Sequence, residues 1–349
     1  MKRKFITILL TTFGSVLLIL AVLWNDNSRA NNFNRKFIQP QIKFLNGLEL
    51  EYNTFLSCNT EQGVWMQNRS NPFTIFSIGD SFKQPKKISF FPPKGFNLTR
   101  VNYDYGQVDS STFITNDVGE IVRLNKFESN FYSIPNHRFD SPAILSKNTV
   151  FVRSFAKVNS EDRLEITKII INDSARIQKS YILPKQIDGI FCADGRLRYD
   201  KESAKLFYMY YYRGEILCLD TNLKVLYKVK TIDTVRIAKL SLTDNLDVSH
   251  TGTRNHGRSL RRTSIMVNKN FSISNNRLYI DSDLKADNQS ASDYLNNSSI
   301  DVYSIKTGKY LHSFDIGRYK GRKIGQFFVE KDEIFALHQN ILVKYSFNE

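Results

Sequence analysis

The sequence predicts an all-β protein, and two observations carry that prediction. A short apolar strand recurs after a turn at intervals of roughly fifty residues, and each copy has a strand partner nearby. The segments 119–124 and 214–219 share one pattern, whereas 299–304 and 340–345 vary it. Self-similarity at such a period indicates a repeat architecture, and short paired strands indicate that the repeat is built from β-structure.

Six hairpins follow from this pattern. The predicted strand pairs are 63–67 with 73–78, 112–115 with 121–124, 149–155 with 164–171, 206–212 with 216–220, 277–281 with 300–305, and 333–337 with 341–346. The second strands begin near residues 73, 121, 164, 216, 300 and 341, so one step is nearly double the others. We therefore predict a six-bladed β-propeller with an insertion near residues 232–265. A degraded seventh blade in the same interval is the alternative.

The unit from residue 277 to residue 316 predicts how buried each strand of a blade is. Segment 300–305 is almost continuously apolar, and the turn Lys306-Thr307-Gly308-Lys309 places Gly where a positive φ is expected. Segment 310–316 then alternates, with Tyr310 and Phe314 on one face. Continuous apolar strands are buried on both faces and alternating strands on one face. This gradient is typical of a propeller blade.

The segment 38–50 is predicted to close the ring. The last hairpin ends next to Glu349, which leaves no residues for the outer strand of its blade. The segment 38–50 has strand-like apolar content, including Ile42 and Leu48, and would protect that open edge. In spacing and blade pattern, residues 38–349 resemble the six-bladed β-propellers of the TolB-like and NHL-like type.

The N-terminus predicts a membrane anchor. Three cations, Lys2 to Lys4, precede the uncharged run Phe5–Trp24, which is long enough to cross a hydrocarbon core of about 30 Å. This charge asymmetry places residues 1–4 in the cytoplasm and exports the rest to the periplasmic or extracellular side. Residues 25–37 would form a stalk. A cleaved signal peptide is the alternative, because Ser28-Arg29-Ala30 resembles a cleavage site.

The insertion contains a basic cluster that we take as the candidate binding site. Its residues are Arg254, His256, Arg258, Arg261 and Arg262. Arginine presents forked donors that suit carboxylate or phosphate, and the chain carries a formal charge of +15. We expect a flexible loop that binds an anionic ligand, or alternatively a solvated loop. A second basic stretch, Arg318 to Lys323, falls between two predicted blades.

The sequence predicts no cofactor and no metal site. Asp281, Asp283, Asp287 and Asp293 are close together, but their spacing does not match a calcium-binding EF-hand loop. The histidines lack zinc spacing, and no P-loop, dinucleotide or Gly-x-Ser-x-Gly motif is present. Cys192 and Cys218 are either a disulfide pair or two buried thiols. Nucleic acid is not an expected partner of an exported domain.

These observations predict a membrane-anchored, exported propeller that acts as a binding or scaffold module. Its partner would be an anionic ligand or a protein of the cell envelope, bound where loops converge on a rigid scaffold. The alternative is a propeller enzyme of hydrolase, lyase or lactonase type, with a site in the central channel, with or without a divalent metal. Three or more carboxylate or imidazole groups converging at the channel mouth would favour the enzyme.

Overall fold

The three-dimensional structure is a computed structural model. It describes residues 14, 31–50, 54–60, 63–68, 71–79, 82–97, 102–109, 111–125, 129–248, 254–261 and 264–348. Apart from Gly14, the predicted anchor Phe5–Trp24 lies outside these residues. Within the described ranges, no helix is both long enough and apolar enough to span a bilayer.

The described residues form six antiparallel sheets of four strands each and one separate two-stranded hairpin. The innermost strands of the six sheets are β2 (Thr54–Thr60), β6 (Tyr103–Val108), β10 (Phe139–Ser146), β14 (Gly195–Asp200), β20 (Asn268–Ser274) and β24 (Gln326–Glu330). The second strands are β3 (Gly63–Asn68), β7 (Ser111–Asn116), β11 (Thr149–Val158), β15 (Lys205–Tyr210), β21 (Arg277–Ser282) and β25 (Glu333–His338). These sheets are the predicted six blades.

The remaining strands complete each blade toward its outer edge. The third strands are β4 (Asn71–Ile78), β8 (Glu120–Leu124), β12 (Glu161–Ile171), β16 (Glu215–Leu219), β22 (Asn297–Ser304) and β26 (Ile341–Asn348). The outer strands are β5 (Lys86–Ser89), β9 (Ser129–Ser133), β13 (Ala175–Ile182), β17 (Val225–Lys230), β23 (Tyr310–Gly317) and β1 (Gln41–Glu49). The short helices are a 3₁₀ turn, Phe191–Ala193, and α1 (Ala291–Asn296).

Each predicted hairpin is the middle pair of strands of one blade. The sequence predicts these strands well because both of their faces are covered, which makes them almost continuously apolar. All six residues of β7 are buried, whereas β13 at the outer edge is mostly exposed. The predicted burial gradient is therefore confirmed. Gly308 has the expected positive φ, +67°, in the turn that joins β22 to β23.

The blades are held together by apolar cores that lie between neighbours. Phe113 of β7 and Val150 of β11 belong to one such core, and Phe207 of β15 and Phe271 of β20 belong to another. All four side chains are fully buried. Burial of one large apolar side chain contributes about 1.5–3 kcal/mol, so the stability of each blade depends on both of its neighbours.

The antiparallel order of the strands gives the propeller two different ends. The innermost strands all begin at the same end of the propeller, and we name this end the upper face. The connections between consecutive blades lie there, together with the connections between second and third strands. The two other kinds of connection, from first to second strand and from third to outer strand, lie on the opposite end, which we name the lower face.

The predicted ring closure is confirmed. Strand β1 pairs antiparallel with β26, from Gln41 opposite Asn348 to Glu49 opposite Ile341, with one bulge between Phe44 and Asn46. The N-terminal strand is therefore the outer strand of the sixth blade. It covers the edge of β26 that the C-terminal hairpin would otherwise leave open.

Residues 31–38, most of which the sequence assigned to a stalk, are docked on the fifth blade. The backbone N–H of Ser313 donates to the carbonyl of Lys36, and that of Ile38 donates to the carbonyl of Ser313, both over 2.9 Å. At the start of this segment, Asn31 hydrogen-bonds to Lys285 and Asp287. These residues form a strap along the outer strand β23 rather than a free linker.

The insertion contains a hairpin between the fourth and fifth blades. Strand β18 (Leu242–Val248) pairs with β19 (Arg254–Leu260), in register from Leu242 opposite Leu260 to Val248 opposite Arg254. The expected flexible loop was wrong at 254–260, where the backbone is a paired strand. The polar sequence concealed it, because a hairpin outside the blades needs no apolar face.

Candidate functional site

The innermost strands of the blades enclose a central channel with a volume of about 420 Å³. Residues of all six innermost strands line it, including Leu56, Asp104, Ala143, Arg196 and Ser272. This channel is where the backbones of six blades converge, so it is the place where side chains distant in sequence meet.

Three carboxylates gather at the upper end of the channel. Asp104 and Asp140 are the second residues of β6 and β10, and Asp194 immediately precedes β14. Because the innermost strands all begin at the upper face, these positions lie at the same depth on three consecutive blades. The topology therefore places the carboxylates together, although they are separated by tens of residues in the chain.

Arg153 bridges two of these carboxylates. Its Nε donates to Oδ1 of Asp140 over 2.7 Å, and its guanidinium also forms an ion pair with Asp194 on the next blade. A further hydrogen bond, 2.9 Å long, runs from Arg153 to the carbonyl oxygen of Gly195. Arg153 thus fixes the third and fourth blades to each other at the channel mouth, and its single positive charge is shared between Asp140 and Asp194.

Among the described residues, no cation forms an ion pair with Asp104. One of its oxygens, Oδ2, accepts a hydrogen bond from the backbone N–H of Ser141 over 3.2 Å. Burial, and then the negative charge of Asp140, raise the pKa of Asp104 above its ordinary value, although Arg196 opposes the change. Burial also raises the pKa of Asp194, but there the charge of the contacting Arg153 opposes the change.

Arg196 is a channel cation whose charge acts on Asp104 and Tyr211. It lies on β14, lines the channel and is half-buried. Among the described residues it forms no hydrogen bond and no ion pair through its side chain. Tyr211, which follows β15, lines the same space, and burial raises the pKa of its hydroxyl. An arginine without a protein partner, beside a tyrosine, can bind an anionic group of a ligand.

Arg198, two residues further along β14, is held by the protein. Its guanidinium lies 4.7 Å from the ring centre of Phe328 and 5.4 Å from that of Phe271, and it donates to Asn270 over 3.4 Å. Aromatic faces stabilise such a cation. Arg198 is therefore held in the channel wall by these contacts. The guanidinium of Arg196 has N–H donors that no described residue accepts from.

The sequence-predicted cluster lies outside the channel lining. Arg254, His256 and Arg258 are in β19, where His256 is opposite Leu246 and Arg258 is opposite Asp244. Arg261 follows the strand, is exposed and donates through Nε to the hydroxyl of Thr243. Arg262 lies outside the described residues. The hairpin emerges from the upper face, as does the second basic stretch, so both predicted basic segments belong to that face.

The predicted acidic run is partly neutralised by lysine. The ammonium of Lys269 lies 3.3 Å from Oδ1 of Asp281 and 3.2 Å from Oδ1 of Asp283. Burial raises the pKa of Asp281 to about 6, with Lys269 opposing. In the ranges that the structure describes, no three Asp, Glu, His or Cys side chains are grouped to hold a metal ion. Cys192 and Cys218 are buried free thiols, not a disulfide.

Sequence reasoning missed the channel residues because it assigned no strand to 103–108, 139–146 or 195–200. A signal was present in the last of these: Leu197 and Tyr199 alternate with Arg196, Arg198 and Asp200. Period-two alternation predicts a strand with one polar face. In this fold, that polar face lines the channel.

Comparisons with known proteins identify the fold and no closer relationship. No protein-family model matches the chain, and no curated protein matches it. A member of the DUF4221 family from Bacteroides vulgatus superposes with a TM-score of 0.56 and 12% identity, over 89% of this chain and 98% of that one. A streptogramin B lyase superposes with a TM-score of 0.50 and 12% identity, over 90% of this chain and 100% of that one.

A third solved structure, BamB from Moraxella catarrhalis, matches with a TM-score of 0.45 and 8% identity, over 88% of this chain and 100% of that one. Identities this low concern the fold alone. The predicted six-bladed β-propeller fold is confirmed.

Proposed function

We propose that this protein is a membrane-anchored, exported binding module whose central channel takes a small anionic solute. The observation that carries the proposal is Arg196, a half-buried channel cation without a hydrogen-bond or ion-pair partner in the described part of the chain. A buried or half-buried charge is costly unless something pairs with it. A carboxylate or phosphate of a ligand would supply that pair.

The surroundings of Arg196 support a small and polar ligand. The channel volume of about 420 Å³ is within the range for small-molecule sites. Tyr211 offers a hydroxyl on the same side, and Asp104 offers a carboxyl whose raised pKa favours its neutral, proton-donating form. The ligand that fits best has one anionic group for Arg196 and an acceptor for Asp104 or Tyr211.

The test is a calorimetric titration of residues 31–349 with small carboxylates, sugar phosphates and inorganic phosphate. Hydrogen bonds to charged groups contribute about 1.5–3 kcal/mol, so Arg196→Gln should weaken binding roughly ten- to hundredfold. The matched control is Arg176→Gln, an exposed arginine on β13, which should bind as the parent does. Equal affinity of the parent and Arg196→Gln for every anion that binds would remove the proposal.

A propeller enzyme remains a second candidate, because three carboxylates do converge at the channel mouth. Two of them are paired with Arg153, so proton transfer would rest on Asp104, whose raised pKa is a common property of catalytic carboxyls. Each anion that binds should be incubated with the protein and followed by NMR. Product formation that disappears in Asp104→Asn would favour the enzyme, and unchanged ligand would favour binding alone.

The membrane anchor is part of the same proposal and rests on the charge pattern around Phe5–Trp24. The intact mass of protein isolated from membranes tests it. A mass that includes residues 1–30 supports the anchor, whereas a chain that starts at Asn31 supports the cleaved signal peptide.

A further inference from the structure

We infer that the upper face of the propeller rests on the anionic surface of the membrane that holds the anchor. The inference depends on the proposed anchor, but it does not depend on the channel binding a ligand. Three observations support it: where the exposed apolar side chains lie, where the exposed cations lie, and where the described chain begins.

In the described connections, the exposed large apolar side chains all lie on the upper face; the other exposed ones lie on the outer strands β1, β13 and β17. Phe91 is 91% exposed, Ile237 64%, Leu295 57% and Ile187 50%, and each lies in a connection on that face. In the described connections of the lower face, no large hydrophobic side chain is exposed. Single exposed apolar residues are ordinary, but a one-sided distribution indicates a surface that meets something apolar.

The same face is basic. Exposed cations in its connections are Lys94, Arg138, Lys185, Arg236, Lys239, Arg261, Arg318, Lys320 and Arg322. In the described part of these connections, the exposed acidic residues are Asp287 and Asp293. Lys185 is paired with Glu161, whereas Arg318 and Arg322 bond to neutral acceptors. A positive surface with apolar tips is complementary to anionic lipid headgroups over acyl chains.

The N-terminal strap begins on this face. Asn31 receives a hydrogen bond from Thr234 and donates to Lys285 and Asp287, and Phe33 packs into the core formed by Val235 and Val267. Each of these partners belongs to an upper-face connection. The docked strap therefore fixes which end of the propeller the anchor leads to.

The distance between anchor and propeller is short. Only residues 25–30 separate Trp24 from Asn31. A fully extended chain spans at most about 3.3–3.6 Å per residue, so this tether reaches about 25 Å or less. Each Lys or Arg near an anionic membrane is attracted to it, and this attraction falls off within a Debye length. A tether of this length allows the upper face to approach the membrane closely enough for that attraction to act.

Tryptophan quenching in vesicles tests the orientation. The full chain carrying Trp24→Phe is reconstituted in phosphatidylcholine vesicles with or without phosphatidylglycerol, using lipids brominated near the headgroup. Phe91→Trp and Ile237→Trp report on the upper face, and the control Leu226→Trp reports on the outer strand β17. We expect at least about twofold quenching at 91 and 237 in vesicles with phosphatidylglycerol, and none at 226. Trp65 is buried and provides a constant background.

Charge variants separate lipid attraction from accidental proximity. Arg318→Gln, Lys320→Gln and Arg322→Gln are combined on the upper face, and Lys201→Gln, Lys224→Gln and Lys306→Gln on the lower face, where these lysines are also exposed. The upper-face combination should reduce quenching at 91, and the lower-face combination should leave it unchanged. Protein that floats with the vesicles but is not quenched at 91 and 237 overturns the inference. Protein that does not float overturns the anchor and the inference together, and leaves ligand binding in the channel untouched.

Discussion

Arg35 and Asp301 form an ion pair that is buried on both sides, with 2.8 Å between Nε and Oδ1. A second donor of Arg35 reaches the other carboxylate oxygen over 3.3 Å, and a third reaches the carbonyl of Leu284 over 2.9 Å. The pair joins the strap to the third strand of the fifth blade. It fixes the N-terminal segment far more firmly than surface contacts would.

Removing one partner of this pair should be strongly destabilising. Arg35→Met leaves the Asp301 carboxylate buried without its cation, which costs about 3–5 kcal/mol. Urea unfolding of residues 31–349 measures the loss, and exposed Arg176→Met should change the free energy of unfolding by less than about 0.5 kcal/mol. The double variant Arg35→Met/Asp301→Leu should recover much of the loss. Wild-type stability in Arg35→Met would contradict the structural role of the pair.

Strand β1 should stabilise the whole ring. Three chains test this. The chain that starts at Asn31 retains both the strap and β1, the chain that starts at Gln39 retains β1 but not the strap, and the chain that starts at Tyr52 retains neither. Each ladder hydrogen bond contributes about 0.5–1.5 kcal/mol, so deletion of β1 should cost at least about 4 kcal/mol beyond deletion of the strap. Thermal unfolding of the three chains measures the difference. Equal melting temperatures for the starts at Gln39 and Tyr52 would show that β1 does not support the sixth blade.

Anion binding in the channel should tighten as the pH falls. The pKa of Asp104 is raised by burial and by Asp140, so this carboxyl becomes neutral at a higher pH than an ordinary aspartate. Protonation removes a negative charge that repels an anion at Arg196. A sulfonate is the suitable probe, since it stays ionised throughout, and its Kd is measured by calorimetry from neutral pH downward.

The control for this pH dependence is Asp104→Asn. It should bind the sulfonate more tightly at neutral pH and with little change as the pH falls. A parent protein whose affinity for the sulfonate is constant over the same range would show that Asp104 does not act on the bound anion.

The hairpin arginines should bind anionic polymers in a salt-dependent manner. Arg254 and Arg258 lie in β19, Arg261 follows that strand, and Arg262 is the next residue in the sequence. Screening lengths shorten from about 10 Å at 0.1 M salt to about 3 Å at 1 M. Changing all four to Ser should weaken binding of a polyphosphate or acidic polysaccharide and leave the melting temperature unchanged. If the quadruple variant binds these polymers as the parent does, the four arginines are not a binding site and are only solvated surface residues.

The middle strands of the blades could be predicted, whereas the channel could not. Residues 112–124 read as a hairpin because Phe113, Ile114 and Ile121 are buried on both sides of the sheet. The strand that carries Arg196 has one wet face, so its pattern resembles that of many surface segments. The periodicity of apolar residues detects strands that are buried in an apolar core. A strand that lines a polar channel therefore escapes detection.

The partners within the site could not be predicted either. Arg153 falls inside a predicted strand, but Asp140 and Asp194 are 13 and 41 residues away from it in the chain. Arg35 and Asp301 are 266 residues apart. Such pairs depend on the curvature of the complete ring, which no local pattern contains.

The pairing of β1 with β26 also sets the order of events during biogenesis. The strand that seals the sixth blade comes from the beginning of the chain, and its three partners come from the end. While the polypeptide emerges residue by residue, β1 has no neighbour, and that blade cannot be completed before the last strand is delivered. Contacts between such distant segments form slowly, and unpaired edges favour aggregation in the meantime. This edge of the ring therefore stays unpaired until β26 has been synthesised.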